Sequence, residues 1–130
     1  MTNKECIFCK IVKGEIPAVK IYEDEKHFAF LDVNPINSGH TLLIPKKHTE
    51  YLFDLKDNEY SELMLKVKSF AKLLKNKLKS KKIGLIIEGF GVLHVHIHLV
   101  PINSMGELNQ KRTKPVNKEE LNKIAKKILN

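Results

Sequence analysis

The chain has 130 residues, 42% of them apolar and 29% charged, a balance that fits one ordinary globular domain and excludes a disordered or fibrous chain. No run approaches the roughly 20 apolar residues of a membrane span, and the Met1-Thr2-Asn3-Lys4-Glu5 start lacks the apolar core of a leader, so a cytoplasmic location is expected. The formal charge of +8 favours polyanions, but the basic residues from Lys66 to Lys82 and in the C-terminal segment carry no interleaved aromatics. They read as solvated helix faces. Nucleic acid is therefore not expected as a partner, although a positive field can draw in a phosphorylated small molecule.

The first feature in chain order is Cys6-Ile7-Phe8-Cys9. In a reducing compartment such close cysteines suggest a metal or redox role before a structural disulfide, and the pair alone leaves zinc, redox chemistry and no role open. Short β-branched and aromatic runs at Val19–Tyr22, His27–Leu31 and Thr41–Ile44, separated by polar and Pro/Gly-containing turns, read as strands. His27 within the second run reads as a structural histidine. From Asp57 to about Lys79, Leu63, Val67, Phe70, Ala71, Leu74 and Leu78 fall at helical spacing, with Asp57 as the expected N-cap. Ile83–Ile87 and Val92–Val100 read as two further strands, the second ending at Pro101, which cannot donate to a ladder. After a polar connection at Asn103–Pro115, Asn117 and Glu120 resemble a capping box that opens a short final helix through Leu121, Ile124, Ala125 and Ile128. The expected fold is α+β: a mostly antiparallel sheet packed against one long helix.

The chemistry sits in His94-Val95-His96-Ile97-His98. In an extended chain, side chains at i, i+2 and i+4 share a face, so three imidazoles line one surface while Val95, Ile97 and Leu99 point into the opposite layer. Grouping imidazoles costs desolvation and risks repulsion on protonation, so a compensating role is expected. Two roles compete. The cluster can hold a catalytic metal, or one neutral imidazole can attack an electrophile covalently while its neighbours orient it and handle protons.

Five separated stretches carry a resemblance: Cys6–Ile11, Gly14–Pro17, Ala29–Pro35, Gly39–His48 and His94–Pro101. Together they resemble the histidine triad family, in its Hint branch of nucleoside phosphoramidases. The resemblance implies a single domain with its core at about 4–101 and a C-terminal extension at 102–130, assembled as a homodimer whose sheets run on into one another. It implies a purine nucleotide or nucleotide conjugate as substrate, with His96 attacking the α-phosphorus to form a nucleotidyl-histidine that water then hydrolyses. His98 would contact the phosphate and assist the leaving group, and His40 would support the triad. Asp32 would accept hydrogen bonds from the ribose hydroxyls, and Ile7, Phe8, Ile11, Phe30 and Val33 would line the base pocket. Cys6, Cys9, His48 and His94 match the positions that hold a structural zinc in bacterial members.

One stretch departs from the pattern. Where the family carries an Asn and then Ala-Gly-Gln-x-Val ahead of the triad, this chain has the shorter Ile86-Ile87-Glu88-Gly89-Phe90-Gly91-Val92-Leu93. Phosphate contact would then fall to backbone N–H groups around Gly89 and Gly91. Two other readings compete with a phosphoramidase: dinucleoside polyphosphate hydrolysis by the same residues, and a zinc-stabilised nucleotide-binding module with little turnover.

Overall fold

The computed structural model describes residues 4–130; Met1, Thr2 and Asn3, the start of the segment read above as lacking a leader, lie outside the described residues. Strands β1 (Lys20–Glu23), β2 (His27–Leu31), β3 (Thr41–Pro45), β4 (Lys82–Ile86) and β5 (Ile97–Ile102) form one sheet in the order β1-β2-β3-β5-β4. Every pairing is antiparallel. Among the described residues three α-helices, α1 (Ile7–Val12), α2 (Asp57–Leu78) and α3 (Lys118–Leu129), cover it. The α+β architecture is the expected one.

The central strands are buried on both faces, which separates two cores. On one face Ala29, Leu31, Leu43, Val95, Ile97 and Leu99 pack with Leu63, Val67, Phe70 and Leu74 of α2 and with Leu121, Ile124 and Ile128 of α3. On the other, Phe28, Phe30, Leu42 and Ile44 pack against Cys6, Phe8 and Cys9 around α1. This second face carries the histidines. The helices follow the apolar periodicity, and α3 carries one half of the expected capping box, with Asn117 Oδ1 accepting from the Glu120 N–H at 2.8 Å. No helix among the described residues is long and apolar enough to cross a membrane.

Four expectations need correction. The N-cap of α2 is Lys56, not Asp57, because Glu59 accepts from the Lys56 N–H at 3.2 Å and leaves Asp57 inside the first turn, where its charge suits the positive end of the helix. Helix α1 is absent from the sequence reading; its six residues are too short to show a periodicity. The strand expected over Val92–Val100 starts only at Ile97, so His94 and His96 lie in irregular chain before it, His94 at a bend. Pro101 does not end that strand, which runs on to Ile102. The Pro101 carbonyl accepts from Asn37 Nδ2 at 2.8 Å, so its backbone polar groups face away from β4, and the missing N–H costs the β4–β5 ladder nothing.

Candidate active site

His40 enters β3 from a tight turn. Gly39 has φ +93, and a Cβ there would collide with Leu78 Cδ1, so only glycine fits the approach to β3. Below the turn, the Ile36 N–H points at His40 Nδ1 at 2.9 Å. An N–H can only donate, so Nδ1 accepts and the ring proton sits on Nε2, which donates to His98 Nδ1 at 2.9 Å. His98 therefore carries its own proton on Nε2.

The same logic fixes His96. Its Nδ1 lies 2.7 Å from the His94 carbonyl, which can only accept, so Nδ1 holds the proton and Nε2 holds the lone pair. The Phe8 ring packs edge-on against the imidazole, with centroids 5.1 Å apart at 73°. The backbone thus fixes a tautomer and α1 fixes a ring plane. Burial disfavours the charged forms of the surrounding imidazoles: it pushes His98 down to about 4, with help from His40 and His96, and lowers His40 against the pull of Asp32.

His96 and His98 form one wall of a cavity of about 410 Å³. Ile7, Phe8, Ile11, Phe30, Val33 and Asp32, the residues singled out for base and ribose, all line it. Phe8 and Phe30 are buried, whereas Ile7 and Val33 at the mouth are 47% and 56% exposed and have an apolar surface to offer a ligand. Asp32 serves two purposes. Its Oδ1 accepts from the Asn34 N–H at 2.8 Å in an Asx turn, and its Oδ2 lies 3.5 Å from His40 Nε2. Ile16, Pro17, Ala18 and Val92 also line this cavity and escaped the sequence reading, since nothing in a single sequence separates a pocket wall from a core residue.

Cys6, Cys9, His48 and His94 converge, with one ligand atom from each lying within 4.8 Å of all the others. His94 Nε2 donates to the Pro45 carbonyl at 2.8 Å, which strips Nδ1 of its proton and aims a lone pair at Cys6 Sγ, 3.4 Å away, and Cys9 Sγ, 3.6 Å away. His48 Nδ1 stands 3.4 Å from Cys9 Sγ and 3.2 Å from His94 Nδ1. A tetrahedron with zinc–sulfur and zinc–nitrogen bonds of ordinary length has edges of about 3.3 to 3.8 Å, so the donor set and its spacing fit zinc and leave no open position. No disulfide joins the two cysteines. A second trio, Asp32, His40 and His98, is as close together but fails the same test. A metal on His40 Nε2 would force the proton onto Nδ1, against the Ile36 N–H.

Gly89 and Gly91 do not join the 410 Å³ cavity. Gly89 lines a separate cleft that meets the first only at His96, and Gly91 faces a shallow surface beside Cys6 and Ile7. Tyr51, Phe53, Phe90 and Leu93 in the Gly89 cleft were likewise missed; the one signal is their placement on either side of the triad, in stretches otherwise polar or glycine-rich.

The model of the HIT domain matches residues 13–105, spanning His40 and all three triad histidines. The chain belongs to the histidine triad, or HIT, family. It is an enzyme of that family. Among curated relatives it is 39% identical over 112 residues to an adenosine 5′-monophosphoramidase of Candida albicans, covering 77% of this chain and 72% of the relative. Among solved HIT structures, a Bartonella henselae HIT-like protein involved in cell-cycle regulation superposes with a TM-score of 0.86 at 30% identity, covering 99% of this chain and 98% of the other. A zinc-bound histidine triad protein of Mycobacterium smegmatis superposes with a TM-score of 0.77 at 33% identity, covering 95% and 93%.

Proposed function

We propose that this HIT protein is a nucleotide hydrolase that cleaves a nucleoside phosphoramidate or nucleotidyl conjugate at the α-phosphorus through a nucleotidyl-His96 intermediate. The observation that carries this reading is the tautomer of His96: Nδ1–H held by the His94 carbonyl, Nε2 bare on the wall of the cavity lined by Asp32 and Phe30. Attack by Nε2 forms a nitrogen–phosphorus bond as the bond to the leaving group breaks. The leaving group departs with that electron pair and takes up one proton. A water oxygen then displaces Nε2 and gives up one proton, so one water is consumed and the protein is returned unchanged. The positive charge that nucleotidylation puts on the ring is met by the His94 carbonyl. His98, with Nε2–H unspent, is the group suited to pass the proton out and back, and His40 and the Ile36 N–H keep it in that tautomer. The Candida relative's name supports a phosphoramidate.

Asp32 Oδ2 is read as the ribose contact, and the apolar wall from Ile7 to Val33 as the base contact, with a purine as the base. Cys6, Cys9, His48 and His94 would hold a structural zinc that ties the N-terminal segment to the sheet; the Mycobacterium neighbour supports this. The unpaired edge of β4, with Leu85 40% and Ile87 39% exposed, supports a homodimer in which two sheets continue into each other. The reduced cysteine pair suits the cytoplasm. The test is trapping: a slowly hydrolysed adenosine phosphoramidate mixed with enzyme and quenched in base should leave a mass increase of one nucleotidyl group on the peptide containing His96. Turnover with no adduct on any histidine would refute the covalent route.

A further inference from the structure

The pairing of β2 with β3 ends at Leu31 and Thr41, and residues 32–40 run outside the sheet. This stretch begins at Asp32, read above as the ribose contact, and ends at His40. Its alternate residues are held by one piece of chain from the C-terminal side. The Val116 N–H donates to the Val33 carbonyl at 3.0 Å, the Lys114 N–H donates to the Pro35 carbonyl at 3.3 Å, and Glu107 Oε1 accepts from Asn37 Nδ2 at 3.2 Å. Glu107 lies just beyond the residues matched by the HIT domain model.

Glu107 is itself fixed. Its Oε1 also accepts from the Asn103 N–H at 2.7 Å, its Oε2 accepts from Ser104 Oγ at 3.0 Å, and Arg112 Nη1 donates to its carbonyl at 2.7 Å. These bonds, the one from the Asn103 N–H foremost, hold its carboxyl below the usual carboxylate range, so at neutral pH it only accepts. Asn37 Nδ2 spends its other N–H on the Pro101 carbonyl. Both partners can only accept, which settles that the amide nitrogen is the atom facing them. Asn37 and Ser38 also border a cavity of about 450 Å³ beside α3, so on that side polar bonds and not close packing hold the turn.

The turn so held aims His40. The Asn37 carbonyl accepts from the His40 N–H at 3.1 Å, and the neighbouring Ile36 N–H meets His40 Nδ1. His40 Nε2–H then reaches His98 Nδ1. We propose that Glu107 is a positioning residue for the reaction: through Asn37 it holds the 36–40 turn, so that His40 keeps His98 aligned to protonate the leaving group. The inference rests on the nucleotide-hydrolase reading above and adds to it a residue that does not line the nucleotide cavity. A proton donor displaced by about 1 Å loses up to about a hundredfold in rate, whereas a leaving group that needs no proton is indifferent to the shift.

The probes are two derivatives of adenosine 5′-monophosphate: the propylamine phosphoramidate, whose amine must gain a proton to depart, and the 4-nitrophenyl ester, which departs as a stable anion. Both carry the same nucleotide, so any disturbance of Asp32 or the base cavity cancels in their ratio. Glu107→Ala should lower the phosphoramidate-to-ester ratio of kcat/KM by about tenfold or more. Glu107→Gln keeps an oxygen for Asn37 and should restore most of that loss. In the imidazole N–H region of the proton NMR spectrum, the His40 Nε2–H should be lost to exchange with water in Glu107→Ala. The His94 Nε2–H and His96 Nδ1–H should stay, since they are held by the Pro45 and His94 carbonyls. Asn37→Ala cuts the same bond from its other end and should reproduce both effects, which carries the test if Glu107→Ala does not fold. A ratio unmoved in both alanine variants, or an unaltered His40 N–H, overturns the proposal and leaves the hydrolase reading intact, even where the melting temperature falls. If wild type turns over neither probe, the hydrolase reading fails, and this proposal with it.

Discussion

Replacing His94 by alanine should separate structure from chemistry within the triad. The side chain is fully buried, donates to the Pro45 carbonyl and presents Nδ1 to both cysteines. If it completes a zinc site, it closes a chain loop: His48 and His94 are 46 residues apart and their Nδ1 atoms 3.2 Å apart. By the chain-entropy expression for cross-links, a loop of that length is worth about 4 kcal/mol. For a domain of this size that is roughly 15 °C in melting temperature for this loop alone, less where the unfolded chain keeps some metal. Urea unfolding of wild type and His94→Ala, each with and without a zinc chelator, makes a double-mutant cycle in which the packing lost with the ring cancels. The chelator should destabilise wild type by about that amount or more, since it also opens the loop of 39 residues from Cys9 to His48, and the variant by less. Equal shifts in both proteins, or none in wild type, would refute the cross-link and return the cluster to hydrogen bonding alone.

His96→Ala should lower turnover by at least about a thousandfold while nucleotide binding by calorimetry survives, since the ring supplies the bond-forming atom and is one of many residues lining the cavity, most of whose apolar wall from Ile7 to Val33 stays in place. Asp32→Ala should weaken nucleotide binding by about 1 to 3 kcal/mol but weaken a 2′,3′-dideoxy analogue far less; equal losses would make Asp32 an Asx-turn residue only. The burial that holds His98 near 4, below its unfolded value of about 6.5, makes folding depend on pH. The unfolded chain takes the proton first, so the contribution of His98 is complete above about pH 6.5 and lost as pH falls towards 4. Chemical denaturation between pH 7 and 4.5 should therefore show a shallower decline in His98→Asn than in wild type, and parallel declines would contradict the assignment.

Much of this architecture is written in local patterns. The 3.6-residue spacing of Leu63, Val67, Phe70 and Leu74 and the Asn117–Glu120 cap depend only on neighbours along the chain, and both elements form where the pattern puts them. The strand expected through the triad fails for a reason no local pattern carries. Beyond Ile97, which faces Leu43, the next partners would be Ile44 and Pro45, but proline has no N–H to give and its carbonyl is taken by His94 Nε2. Val95 turns to the Thr49 carbonyl instead. The alternation nonetheless survives, with Val95, Ile97 and Leu99 in the helix-side core. Helix α1 owes its start to Cys6, whose Sγ accepts from the Cys9 N–H, a cap that a sequence reading takes for a redox or metal pair only. That Ile7, Phe8, Ile11, Phe30, Asp32 and Val33 share one cavity was legible through resemblance alone, since they come from separate stretches of the chain. Gly89 and Gly91 lie outside the 410 Å³ cavity, Gly89 in a neighbouring cleft that shares His96 and Gly91 beside Ile7, a placement that depends on how the shortened loop folds and that no single-sequence pattern carries.

The break in the ladder before Ile97 has a consequence for anyone wishing to borrow this site. A carbonyl inside a regular sheet is committed to the next strand, and the one on His94 is free to accept from His96 Nδ1 because the sheet has already let go there. Three histidines grafted in alternation onto an ideal strand would reproduce the spelling of the motif but not its grammar: the middle ring could carry its proton on either nitrogen, and a share of the molecules would present an N–H where the lone pair is needed. A working graft needs the irregular approach from Val92 as much as the imidazoles.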